Sequence, residues 1–152
     1  MQTPLLWIHG DCLNPHSPAL LAHPDAPRVF VFDDEWLARY RISLKRIAFM
    51  YERLLEIPRI EISKGDVVAE LAEAAREHNC TRVVTVESVA PRFAQLRARL
   101  HREHNLPVEV LPLEPFVKLS QTEQTQLDLK RFSRYWRAIK SNAMTLNQTF
   151  DW

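Results

Sequence analysis

Five short apolar runs, separated by stretches of helical periodicity, govern what this chain can fold into. They are LLWI (Leu5 to Ile8), RVFVF (Arg28 to Phe32), RIEI (Arg59 to Ile62), RVVTV (Arg82 to Val86) and VEVL (Val108 to Leu111). Strands alternating with amphipathic helices are the pattern of repeated βα units, whose crossovers make the strands parallel. The first, second and fourth runs are nearly continuous in apolar residues, as strands covered on both faces are. The third and fifth alternate and read as the less buried edges.

The helices between the runs carry their own boundary signals. Ser43 to Ile57 holds Leu44, Ile47, Met50, Tyr51, Leu54 and Leu55 at spacings of three and four, and Pro58 closes it. Asp66 stands where it can cap VVAELAEAAREHN, with Val67, Val68, Leu71 and Ala75 facing the sheet. Pro91 opens RFAQLRARLHREHN, whose inner stripe is Phe93, Leu96 and Leu100. After Pro112 no further strand is expected. The polar SQTEQTQ stretch there leads into a basic, aromatic helix.

Composition removes whole classes of function. The chain has only two glycines, Gly10 and Gly65. A Walker loop, a G-x-G-x-x-G turn and a G-x-S-x-G nucleophile elbow each need more, so none of the three is present. Twenty Lys and Arg against 19 Asp and Glu leave a net charge of +1, so no global field draws the chain to nucleic acid or to a membrane. Cys12 and Cys80 lack metal-ligand or disulfide-framework spacing and read as free thiols of a reduced compartment. With no run of spanning length and no signal-peptide pattern, a cytoplasmic address is expected, and 152 residues suit one compact domain.

The placed strands and loops resemble the N-terminal α/β domain of the DNA photolyase and cryptochrome family. Trp7 to Leu13 followed by Ser17, Pro18, Ala19 and Leu20 is similar to that family's Trp-Phe-Arg-Arg-Asp-Leu-Arg and Asn-Pro-Ala-Leu frame. VFVFDDEWL (Val29 to Leu37) resembles its Val-Phe-Val-Phe-Asp strand, and Gly65-Asp66 its Gly-Asp turn. RFSRYWRA (Arg131 to Ala138) looks like its Phe-Thr-Pro-Phe-Trp linker. The departures are concentrated in two loops. Three family arginines become His9, Gly10 and Leu13 while Asp11 is retained, and Tyr-Glu-Pro becomes Val89, Ala90, Pro91.

The expected fold is therefore a Rossmann-like three-layer α/β/α domain over residues 1–115, with a five-stranded parallel sheet in the order 3-2-1-4-5. A helical, linker-like extension over residues 116–152 is expected to pack on the same domain. Ligands of such sheets bind beyond the carboxyl ends of the strands, where the strand order reverses. The residues expected at that crevice are His9, Gly10, Asp11 and Cys12 after the first strand, Asp33 and Asp34 after the second, and Glu87 and Ser88 after the fourth.

Each of these residues has a plainer reading. Asp11, Asp33, Asp34 and Glu87 can cap turns instead of touching a ligand or metal. His9 can be held by hydrogen bonds instead of tuning a site. Cys12 needs a base and a depressed pKa to act as a nucleophile. Gly10 offers either a positive backbone angle or close approach of a ligand. In the tail, Arg131, Arg134, Lys130, Arg137 and Lys140 with Phe132, Tyr135 and Trp136 read as a partner-facing or packed helix before they read as a nucleic-acid surface.

The resemblance implies a non-catalytic module with no catalytic or metal-binding residues of its own. It would bind a nucleotide-like ligand or a flavin, deazaflavin or pterin antenna, FAD entering only through a separate partner that carries the helical flavin domain missing after Trp152. The tail itself and a homodimer are the other expected ways to cover the face that domain would occupy. Direct DNA binding by the domain alone is not expected. The alternatives are a small nucleotide-processing enzyme using Asp11, His9 and Glu87, and an interaction module whose crevice is filled by its own side chains. The size of the opening there separates the last reading from the first.

Overall fold

The computed structural model describes residues 3–113 and 117–144. The chain divides into two compact units, Met1–Leu113 and Glu114–Trp152. The expected boundary at 115/116 and the tail residues 145–152 lie outside the described residues.

In the first unit the elements run β1 (Leu5–Ile8), α1 (Pro18–Ala22), β2 (Arg28–Asp33), α2 (Asp34–Arg39), α3 (Leu44–Leu55), β3 (Ile60–Gly65), α4 (Val67–Glu77), β4 (Val83–Val86), α5 (Pro91–His104) and β5 (Val108–Leu111). All strand pairings are parallel and the sheet order is β3-β2-β1-β4-β5, a Rossmann-like α/β arrangement with helices on both sides. Alternation along the central strands builds the two cores. Leu5, Trp7, Val29 and Val31 pack with Val68, Leu71 and Leu100 of α4 and α5. Leu6, Ile8, Phe30 and Phe32 pack with Ala19, Leu20, Met50 and Leu54 of α1 and α3. A strand serving both cores has no polar face to spare, which explains the continuous apolar runs. β3 and β5 sit at the edges and are only partly buried.

Local chemistry sets the helix starts. Asp66 Oδ1 accepts from the Ala69 N–H at 3.0 Å, Ser43 Oγ from Arg46 N–H at 3.3 Å, and Asp33 Oδ1 from Trp36 N–H at 3.2 Å. Thr85, the polar residue inside β4, is fully buried and donates its hydroxyl to the Trp7 carbonyl at 2.7 Å. Arg28 is also buried, its guanidinium donating to the Ala26 and Pro24 carbonyls of the segment that leads into β2.

Three local features differ from the sequence expectation. The short helices α1 and α2 lack the length that makes periodicity readable. The third strand begins at Ile60 and runs to Gly65, because Arg59 takes a left-handed backbone conformation with φ 58°. In α3, Met50 and Leu54 are buried while Leu44, Tyr51 and Leu55 are 79%, 47% and 63% exposed. A helix on a flat sheet covers one line of residues, and the i, i+7, i+11 line of Leu44, Tyr51 and Leu55 is turned away from it.

In the second unit, the polar stretch forms a helix of its own, α6 (Gln121–Gln126), opened by a reciprocal capping box between Ser120 and Glu123. α7 (Phe132–Ala143) follows. Within it Phe132 stacks on Trp136 at 6.2 Å and lies 6.3 Å from Tyr135, while remaining 74% exposed. Arg134 pairs with Asp128 at 2.7 Å, drawing one of the basic residues into a local contact.

Candidate functional site

β1, β2 and β4 all end at the same edge of the sheet, and the chain beyond each leaves a void there of about 370 Å³. His9, Gly10, Asp11 and Leu13 reach it from the loop after β1. Asp33 and Trp36 reach it from the β2–α2 junction, and Ser88, Ala90, Arg92 and Phe93 from the β4–α5 junction. Arg46, Phe49 and Met50 of α3 close the remaining side. The crevice is wider than the β1/β4 gap that strand order alone points to, since α2 and α3 extend its wall past the end of β2.

Of the residues singled out in the sequence, His9, Gly10, Asp11, Asp33 and Ser88 line this void. Cys12, Asp34 and Glu87 are not part of the wall. Cys12 is 3% exposed and belongs to the core beneath α3. Asp34 pairs with Lys64 at 3.0 Å on the surface. Glu87 follows β4 and extends the sheet through its N–H to the Leu111 carbonyl at 2.9 Å.

His9 is locked in one tautomer. Its Nε2 lies 2.8 Å from the Val86 carbonyl oxygen, an acceptor, so Nε2 carries the proton and donates. Nδ1 then accepts the Asp11 N–H at 3.3 Å. Burial holds the imidazole pKa below its usual 6.5, outweighing the Val86 bond and the nearby Asp11 charge, which favour protonation. Around it the rings of Trp7 and Phe93 stand 5.7 Å and 5.4 Å from the imidazole, and Trp7 and Phe93 stack on each other at 5.4 Å.

The depressed pKa has a consequence for stability. The unfolded chain binds a proton at His9 near pH 6.5 and the folded chain only at lower pH, so His9 contributes stability that is present above about pH 6.5 and lost as pH falls below it. Thermal melts from pH 7.5 to pH 5 should show a decline that His9→Gln reduces. An identical decline in both proteins would place the effect elsewhere.

Cys12 lies in the core behind the β1 loop. Its Sγ receives the His9 N–H at 3.3 Å, and burial pushes the thiol pKa up to about 12. A thiol so protonated at neutral pH does not attack electrophiles. Iodoacetamide should therefore alkylate Cys12 in urea but not in the native protein, as read by peptide mass. Rapid native labelling at Cys12 would contradict this placement.

Polar contacts tie the loops together. Asp11 accepts from the Ser88 hydroxyl, and Ser88 Oγ in turn accepts the Ala90 N–H at 3.1 Å, so the loops after β1 and β4 are joined. Arg92 spans the junctions of β2 and β4, with Nη1 2.6 Å from Asp33 Oδ2 and Nη2 3.0 Å from Glu35 Oε2. The first of these is an ion-pair contact out of hydrogen-bond alignment. Arg46 lies with its guanidinium carbon 5.3 Å from the centre of the Trp36 ring. Among the described residues no group of three His, Cys, Asp or Glu side chains gathers to hold a metal, and no helix is long and apolar enough to cross a membrane.

Sequence reading alone missed Trp7, Trp36, Arg46 and Arg92 as wall residues. Trp36 and Arg92 carried a usable signal, each lying within the first turn of a helix that follows a strand. Arg46 carried none, because its approach depends on how α3 crosses the sheet.

No family model and no curated protein matches the chain. Among solved structures it is similar to a bacterial class III photolyase from Agrobacterium tumefaciens, with a TM-score of 0.56 and 18% identity over 92% of this chain. It is also similar to a universal stress protein in complex with cAMP, with a TM-score of 0.43, 15% identity and 74% of this chain covered against 98% of the other. The chain spans 32% of the photolyase chain. At these identities the likeness is one of architecture: this chain shares its fold with part of a class III photolyase.

Proposed function

We propose that this domain binds a planar heteroaromatic small molecule, a flavin, deazaflavin or pterin of the antenna type or a nucleotide, and performs no chemistry on it. The observation that carries this reading is the void of about 370 Å³, whose lining includes the aromatic residues Trp7, Phe30, Phe32, Trp36, Phe49 and Phe93. Its size lies in the range of small-molecule sites, and flat π faces are complementary to a flat ring. An opening of that size also counts against a crevice filled by its own side chains.

The residues beside the void favour binding over catalysis. Both His9 nitrogens are engaged with the backbone, leaving no lone pair to take a substrate proton. The Cys12 thiol stays protonated and buried. Glu87, the third member of the enzyme alternative, does not reach the wall.

Trp7 and Trp36 make the test direct, since a bound chromophore would quench their fluorescence. Protein purified under dim light should be scanned through the near-ultraviolet and blue for a bound chromophore, and then titrated with flavin mononucleotide, a deazaflavin, a pterin and AMP. Saturable quenching by one of them supports the reading. A colourless protein whose fluorescence none of the four changes would sink it.

A second reading, docking with a separate flavin-bearing helical protein or a second copy, is favoured by one observation: Leu44, Tyr51 and Leu55 form an exposed apolar line on α3. It is compatible with the first, because an antenna needs an acceptor for its excitation. Sedimentation alone and with the candidate flavoprotein should show association that Tyr51→Lys with Leu55→Lys abolishes. A monomer under both conditions would remove this reading.

A further inference from the structure

The void's wall carries two arginines in different electrostatic situations. Arg92 is committed to Asp33 and Glu35. Arg46 has no carboxylate partner among the described residues, and its guanidinium contact is the face of Trp36. The described acids of the wall and of the β2–α2 junction have partners of their own, Asp33 with Arg92. Asp34 pairs with Lys64, Glu35 with Arg92 and Arg39, and Asp11 with the Ser88 hydroxyl. An arginine laid on an indole keeps its edge N–H donors free, because the cation–π contact uses its face.

We infer that Arg46 holds an anionic group of the bound ligand, so that the site selects a planar ring bearing a carboxylate or phosphate over the bare ring. This rests on the ring-binding reading above. Ring and anion are then recognised by neighbouring elements. The aromatic wall takes the ring, and the free fork on the first turn of α3 takes the charged appendage, in the planar, paired geometry that guanidinium offers to carboxylate and phosphate alike. Trp36 fixes the direction of the Arg46 side chain, which lowers the entropy lost when the anion arrives.

Two matched pairs of probes test this on the full chain: riboflavin against flavin mononucleotide for phosphate, and 6-methylpterin against pterin-6-carboxylic acid for carboxylate. Each is titrated by tryptophan fluorescence into the native protein and Arg46→Gln. The expected result is that the anionic member of one pair binds about tenfold more tightly than its neutral partner, the size of one charge-assisted contact. Arg46→Gln should erase that preference, bringing the two affinities of the pair to within about twofold of each other, and the pair concerned identifies phosphate or carboxylate. Equal affinity within each pair, or a preference that survives Arg46→Gln, overturns the assignment of Arg46 while the ring site stands. If none of the four probes binds, the ring-binding reading falls and this inference falls with it.

Discussion

Phe93→Ala should destabilise the protein by about 3 kcal/mol, the low end of the range for removing a buried aromatic ring. Phe93 is 8% exposed, belongs to the core beneath α4 and α5, and touches both Trp7 and His9. Phe93 also lines the void, so part of its contact shell is already open and the loss stays below that of a fully enclosed residue. Urea unfolding followed by circular dichroism measures the change, and the midpoint should move without a large change in slope. Val89→Ala, at a side chain 98% exposed two residues before α5, should leave the midpoint in place. A Phe93→Ala loss under about 1 kcal/mol would mean that the Trp7–Phe93–His9 cluster contributes little packing beyond what the helix can recover. Ligand affinity should fall as well, because one face of the ring site disappears.

Gly10→Phe should leave the fold intact and weaken ligand binding at least tenfold. The backbone at Gly10 is not left-handed, so a side chain there introduces no backbone strain. A Cβ built on it meets only the Met50 methyl, at 3.9 Å, an ordinary contact. Of the two readings that the sequence left open for this glycine, a positive backbone angle is therefore removed, and room for close approach of a ligand is what the geometry retains. A phenyl ring on that Cβ would occupy the void, and a loss of one decade in affinity corresponds to about 1.4 kcal/mol. The measurement pairs a thermal melt with the fluorescence titration. Gly10→Ala should bind nearly as well as the native protein. A Gly10→Phe protein that keeps its affinity would move the ligand away from the β1 loop.

These two substitutions divide the protein along a physical line. The Phe93 effect is one of packing, where a helix N-terminus is anchored on the sheet. The Gly10 effect is one of space, at a loop that the core does not need. Arg46 stands apart from both, since neither folding nor the shape of the void requires its charge.

The sequence by itself determined the sheet and its crossovers. β1 and β5 span the residues that the apolar runs delimit, and α3, α4 and α5 begin where Ser43, Asp66 and Pro91 start them. Period-two and helical patterns, caps and Pro are properties of neighbours along the chain, so they are readable without a fold. The edge position of the third and fifth strands was legible for the same reason, because burial on one face or two leaves its mark on alternation. The ends of β1, β2 and β4 then pointed to His9, Gly10, Asp11, Asp33 and Ser88 as lining one opening. What only the tertiary structure decided are the contacts made across the sequence. His9 gains its tautomer from a carbonyl 77 residues away, Arg92 is held by acids more than 50 positions back, and Arg46 reaches the site through the crossing of α3 over the sheet. Side-chain direction in such contacts is fixed by packing between elements, and a one-dimensional pattern carries the period of each element but not the angle at which it meets the next.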